Sequence, residues 1–172
     1  MREWSELASR PEDAVQIFIS YARADDKPVP GVPGAPGFVE FLYAWLNYKF
    51  RSSGSIRPFI WRYVDHTSPG EPFPRRLEAE LRKSQLLLVV RSGNWMASKY
   101  CRNELKYFKD YRKRVNEPSG ERIIIVEKNA IETVRGLPEQ QTFESIFASL
   151  LLTSKRLRSR KLRPRPAKSL RA

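Results

Sequence analysis

The feature that most restricts the fold of this chain is an alternation. Four short apolar runs are each followed by a segment in which apolar residues recur every three or four positions. The runs are VQIFI (15–19), PFIW (58–61), QLLLVV (85–90) and RIIIV (122–126). They lack polar alternation and are rich in Val, Ile, Leu and Phe, the pattern of strands covered on both faces. Pro58 is compatible with the second run only at its first residue, because proline has no N–H to give to a sheet ladder.

The intervening segments read as helices. In GFVEFLYAWLNYKF, the residues Phe38, Phe41, Leu42, Trp45 and Leu46 follow the spacing of one helical face. PRRLEAELRKS opens with Pro74 at a first-turn position and aligns Leu77 with Leu81. A longer helix is expected over about 97–114, with Cys101, Leu105, Phe108 and Val115 on its buried stripe. Thr142 is placed to cap a last helix, TFESIFASLLL, with Phe143, Ile146, Phe147, Leu150 and Leu151 facing inward. The alternation predicts an α/β fold: a mostly parallel central sheet of four or five strands with helices on both faces. Such sheets bind ligands beyond the carboxyl ends of their strands, where the strand order reverses. Here those ends lead into 20–26, 62–73, 91–97 and 127–138, and the Pro/Gly-rich stretch 27–37 reads as a loop.

At 172 residues the chain has the size of one domain. Its net charge of +13 is unevenly placed: residues 155–172 hold nine Lys or Arg and no acid, which leaves 23 bases against 19 acids in the rest. The expected organisation is an arm at 1–13, a folded domain at 14–153 and a basic, disordered tail at 154–172. The longest aliphatic run, LLLVV, is far shorter than the ~20 residues of a membrane span. The opening MREWSELASRPEDAV has no signal-peptide core. A single cysteine, Cys101, and a single histidine, His66, lie in different segments without zinc-ligand spacing, so no metal site is expected. These features suit a cytoplasmic protein.

Four segments, in order, resemble the TIR (Toll/interleukin-1 receptor) domain family. VQIFISYARADD is similar to its first strand with a terminal Ser-Tyr and polar loop, and PFIWRYVDHTSPGEPF to the loop after its second strand. LEAELRKSQLLLVVRSGNW resembles the helix and third strand leading into Ser, and SKYCRNELKYF the Ser-x-x-Cys-x-x-Glu-Leu start of the next helix. The resemblance covers roughly 14–127 and implies a flavodoxin-like TIR fold. A fifth strand has only a faint candidate at 130–134, and the basic tail is outside the family pattern.

On a helix over 97–114, Glu104 falls at the edge of a stripe formed with Tyr100, Cys101, Phe108 and Tyr111. No neighbour three or four residues away is basic, so no local ion pair accounts for it. From spacing alone it pairs with a distant arginine, leans into solvent or serves a site. The TIR resemblance implies the last, since the catalytic glutamate of TIR NAD⁺ hydrolases occupies this place. By the same resemblance the substrate-binding candidates are Phe18, Ser20, Tyr21, Arg23, Ser92 and Tyr100. For Arg23 a solvated loop position is an equal alternative, for Tyr100 and Phe18 a place in or beside the core, and for Trp61 packing is preferred. NAD⁺ is then a substrate and no cofactor is expected, in keeping with the lack of a Gly-x-Gly-x-x-Gly fingerprint. The resemblance also implies an interaction loop containing His66, Pro69, Gly70, Glu71, Pro72 and Phe73, through which the domain self-associates or docks other TIR domains. A non-catalytic signalling adaptor is the alternative function. Nucleic acid is a third partner to weigh, through the basic tail, whose other reading is a solvated segment.

Overall fold

A computed structural model describes residues 14–28, 34–54, 58–63, 75–117, 119–128 and 139–161, with the side chains of 145–157 in the last span. Four strands form one sheet: β1 (Gln16–Ser20), β2 (Phe59–Arg62), β3 (Leu86–Arg91) and β4 (Ile123–Glu127). Their order is β2-β1-β3-β4 and every neighbouring pair is parallel. The four apolar runs are therefore strands, each displaced by a single residue from its sequence boundary. Pro58 lies immediately before β2, where its missing N–H costs the ladder nothing.

Helix α1 (Phe38–Ser52) and the last helix, α5 (Glu139–Lys161), cover one face of the sheet, and α2 (Arg75–Lys83), α3 (Gly93–Ala97) and α4 (Lys99–Arg114) cover the other. Alternate strand residues divide between two cores. Ile17, Ile19, Leu86, Leu88 and Val90 pack on Val39, Leu42, Leu46 and Leu150. Phe18, Leu87 and Val89 pack on Leu77, Leu81, Trp95, Cys101 and Phe108. Each fully buried leucine, valine or phenylalanine of these layers contributes roughly 1.5–3 kcal/mol. The architecture is the doubly wound α/β fold expected from the alternation.

The long helix expected over about 97–114 is α4, and Ser98 sets its start. That residue is extended (φ −72°, ψ 117°) and its hydroxyl accepts from Cys101 N at 3.3 Å, capping α4 and separating it from the short α3. The buried stripe of α4 also differs from expectation: it is Cys101, Glu104, Phe108 and Arg112. Val115, placed in the stripe from its spacing, instead follows the helix as an exposed residue. Arg112 survives burial because its guanidinium is paired at two points, with Glu117 at 2.6 Å and with the Ser84 carbonyl. It ties α4 to the turn between α2 and β3.

Helix α5 begins at Glu139, so Thr142 lies within the helix and is not its cap. It also runs eight residues beyond the boundary placed at 153. Ser154 and Leu157 are buried, and Leu157 belongs to the first core, so packing carries the helix into what composition alone marked as tail. The faint fifth-strand candidate at 130–134 lies outside the described residues. Among those residues no helix is long and apolar enough to cross a membrane.

Gly37, at the N-cap of α1, has no side chain to cap with, and the service comes from a distance: Asp26 Oδ1 accepts from Glu40 N at 2.8 Å. The chain passes so closely here that a Cβ on Gly37 would collide with the Asp26 carbonyl and carboxylate. Gly37→Ala should therefore lower stability by about 1–3 kcal/mol, read as a drop in the denaturant midpoint at unchanged slope. An unchanged midpoint would contradict this account of the β1–α1 connection.

Candidate functional site

In the observed strand order the chain reverses direction between β1 and β3, and the crevice beyond the carboxyl ends of these two strands is where a doubly wound sheet receives ligands. Ser20 is the last residue of β1 and pairs with Val89 of β3, while Ser92 follows the end of β3. Ser20 lies on the same face as Phe18, beneath α3 and α4. Glu104, in the second turn of α4, meets it there.

Glu104 is 7 % exposed, in the middle of the buried stripe and not at its edge. Its Oε2 accepts the Ser20 hydroxyl at 2.5 Å. The Ser20 Oγ in turn accepts Trp95 Nε1 at 2.9 Å. An indole N–H can only donate, so Trp95 occupies a lone pair of Ser20 and leaves the hydroxyl proton committed to Glu104. Among the described residues Glu104 Oε1 has no hydrogen-bond partner and no cation pairs with the acid. Burial, opposed only by the Ser20 bond, pushes the Glu104 carboxyl up to about 8. The acid is therefore harder to ionise than an ordinary glutamate.

A second buried group frames the crevice. Asp25, 2 % exposed in the short 3₁₀ turn Arg23–Asp26, accepts the Ser92 hydroxyl at 2.5 Å and Asn94 Nδ2 at 2.9 Å, and lies 3.6 Å from Lys128 Nζ. Ser92 Oγ also accepts Trp95 N at 3.0 Å, which caps α3. Asp25 thus fastens the loop after β1 to the loop after β3 and to the end of β4, and holds in place the turn that carries Trp95.

The sequence candidates separate accordingly. Glu104 and Ser20 are in direct contact. Ser92 is engaged as a cap and by Asp25, one link removed. Phe18 is wholly buried and stacks on Trp61 with ring centroids 4.6 Å apart, so it is core and presents nothing to a ligand; Trp61 packs as expected. The Tyr21 hydroxyl donates to the Tyr63 carbonyl, tying β1 to β2's exit. Arg23 is exposed, with its guanidinium 5.8 Å from the Tyr63 ring centroid, and Tyr100 is exposed one turn before Glu104. His66, Pro69, Gly70, Glu71, Pro72 and Phe73 lie outside the described residues. No group of His, Cys, Asp and Glu among the described residues is arranged to hold a metal. Asp25 was not singled out from sequence, although an acid two residues before a proline-rich loop and a Ser-x-x-Trp after a strand are the traces it left.

Cys101 shares this buried face. Its thiol donates to the Tyr21 carbonyl at 3.4 Å, and burial, aided by the nearby Glu104 carboxylate, pushes it up to about 12. A cysteine near a helix start is often acidified, but here burial prevails. The site is that of a doubly wound α/β domain carrying a buried carboxyl at its switch point. A family model of the TIR domain matches residues 39–149, and the chain belongs to the TIR family of signalling domains. The match begins within α1, so β1 and Ser20 precede it. No curated protein matches the chain. Native Cys101 should react with iodoacetamide at least about a hundredfold more slowly than in the unfolded chain; equal rates, followed by mass spectrometry, would contradict its placement.

Proposed function

We propose that this TIR domain is an NAD⁺ nucleosidase acting in signal transduction, with Glu104 as its catalytic carboxylate. The observation that supports this reading is a buried acid with one oxygen held by Ser20, the other without a described partner, and no described cation to neutralise it. Structural carboxylates buried without such a purpose are paired. Here the uncompensated burial is a cost that a folding role does not explain.

The chemistry asks for one carboxylate. Nicotinamide in NAD⁺ is already a cationic leaving group and departs with the electrons of the C1′–N bond, so no general acid is needed, unlike ordinary glycosides with their two carboxyl groups. Water then attacks the oxocarbenium-like centre and gives up a proton, yielding ADP-ribose; attack by a nucleophile of the same molecule in place of water, with loss of its proton, yields a cyclic form. Glu104 Oε1 would hold the ribose hydroxyls and stabilise the developing positive charge, in a site where water competes weakly. The incoming cationic ring favours ionisation of the acid, so its proton is released on binding or lost beforehand at higher pH. Ser20 keeps the carboxylate aimed and is a positioning residue in this scheme. Arg23 and Tyr100, both exposed, would contact phosphate and a ring of the substrate. Self-association of TIR domains would assemble the site, and the domain would act in the cytoplasm.

The active form is the carboxylate, so kcat/KM should be low at acidic pH, rise as pH passes about 8 and level off above it. Glu104→Gln should reduce nicotinamide release by at least about a hundredfold with the fold retained by circular dichroism. Undiminished release by the variant sinks the catalytic assignment. Binding to other TIR domains with no turnover at any protein concentration leaves the adaptor reading in its place.

A further inference from the structure

One helix of the folded body carries its basic residues in a line. On α4, Lys99, Arg102, Lys106, Lys109 and Lys113 recur at alternating steps of three and four, which places them on one line along the helix, and all are exposed. The line extends about 21 Å, from the 1.5 Å rise per residue. Asp110 is the only acid at an exposed position of this helix. Helix α2, in the same layer, contributes exposed Arg75 and Arg76 beyond its own internally paired Arg82 and Lys83. Among the described residues, Lys99, Lys106, Lys109 and Lys113 make no ion pair. Among the described side chains of the opposite layer, the exposed charges are Glu40 and Arg51 on α1 and Lys155 and Arg156 on α5.

From this arrangement we infer that the outer face of α4, with α2 beside it, binds the phosphate backbone of single-stranded nucleic acid. Steps of three and four residues space the cations by about 4.5–6 Å along the axis, a fit to successive phosphates of an extended strand. Tyr100 and Tyr107 lie on another side of α4, Tyr107 against Arg82 of α2, so contact along the line is to phosphates and is not base-selective. A membrane surface fits less well, because the apolar side of α4 is used up in the core and no aliphatic edge remains to enter a bilayer. A second copy of the chain fits poorly too. The molecule carries +13, and the described surface has no acidic line to match this one.

The test is fluorescence anisotropy of the full chain with a labelled oligothymidylate of about 20 nucleotides across a salt series. We expect log K to fall linearly with log salt, at roughly 0.7 per phosphate neutralised. Lys106→Glu combined with Lys109→Glu should weaken binding at least tenfold at low salt and make the slope shallower by about 1.4. Neutralising the same pair to Gln should give a smaller loss in the same direction. Lys155→Glu with Arg156→Glu, on the other layer, should leave affinity within about twofold. Equal losses from the two charge-reversal pairs overturn the inference. So does binding that disappears only when Arg163, Arg165, Lys168 and Arg171 are changed to Gln. Capture by anionic phospholipid vesicles that depends on Lys106 and Lys109, with no oligonucleotide binding, assigns the face to a membrane and overturns it as well. None of these readouts depends on NAD⁺ turnover.

Discussion

One desolvated carboxyl organises this molecule's functional end. Glu104 is enclosed by α3, α4 and the tip of β1, and a single serine hydroxyl is its described partner. Removing a carboxylate from water is costly, and one neutral hydrogen bond does not repay it, so the acid keeps its proton to about pH 8. The consequence is directional. Trp95 can only donate, Ser20 donates its hydroxyl hydrogen bond to Oε2, and Oε1 is the oxygen without a described partner. The structure does not merely tolerate this acid; two buried side chains are spent on fixing its orientation.

The fold makes that arrangement possible by bringing distant segments together. The parallel order β2-β1-β3-β4 puts the ends of β1 and β3 side by side at the point where the winding reverses. Ser20 comes from the first of these ends and Trp95 from the turn after the second. Asp25 clamps the two loops by taking both Ser92 and Asn94, with Lys128 reaching in from the end of β4. The loops that line the crevice are thus held from behind by a buried acid that is itself well supplied with donors. Two carboxyls a few residues of space apart are given opposite treatment: Asp25 is surrounded by partners, and Glu104 is nearly deprived of them.

Much of the fold was legible because burial on both faces leaves continuous apolar strands. All four runs became strands within one residue of their expected bounds. The helices were less legible where capping chemistry overrides periodicity. Ser98 closes the short α3, which the sequence reading did not resolve, and caps α4 within two residues of its expected start. The stripe of α4 was misread for a related reason: polarity argues against burying Glu104 and Arg112, and only tertiary partners such as the Ser84 carbonyl and Glu117 make Arg112's place habitable. Composition marked everything after 153 as tail, yet Leu157 and Ser154 are covered and the helix continues to Lys161. At the site, sequence singled out Glu104 and Ser20 but not the link between them, since their separation along the chain is closed only by the sheet. It also offered Phe18 as a ligand contact, where the alternation of β1 directs the ring into the core against Trp61. The line of bases along α4 was invisible until the helix had faces.

The central claim is that folding forces Glu104 to stay protonated well above the ordinary glutamate range. Because the folded state then binds one more proton than the unfolded chain between about 4.5 and about 8, this group's contribution is fully present below that window and is lost as pH rises through it. The most direct measurement is the unfolding free energy of the wild type and of Glu104→Gln, by denaturant titration from pH 4 to pH 9. The account predicts that the Gln variant gains on the wild type by up to about 1.4 kcal/mol per pH unit through this window and that the gap levels off above it. Two profiles that stay parallel across the whole range would mean that the acid ionises as freely in the folded protein as in the unfolded one, and the account would be wrong.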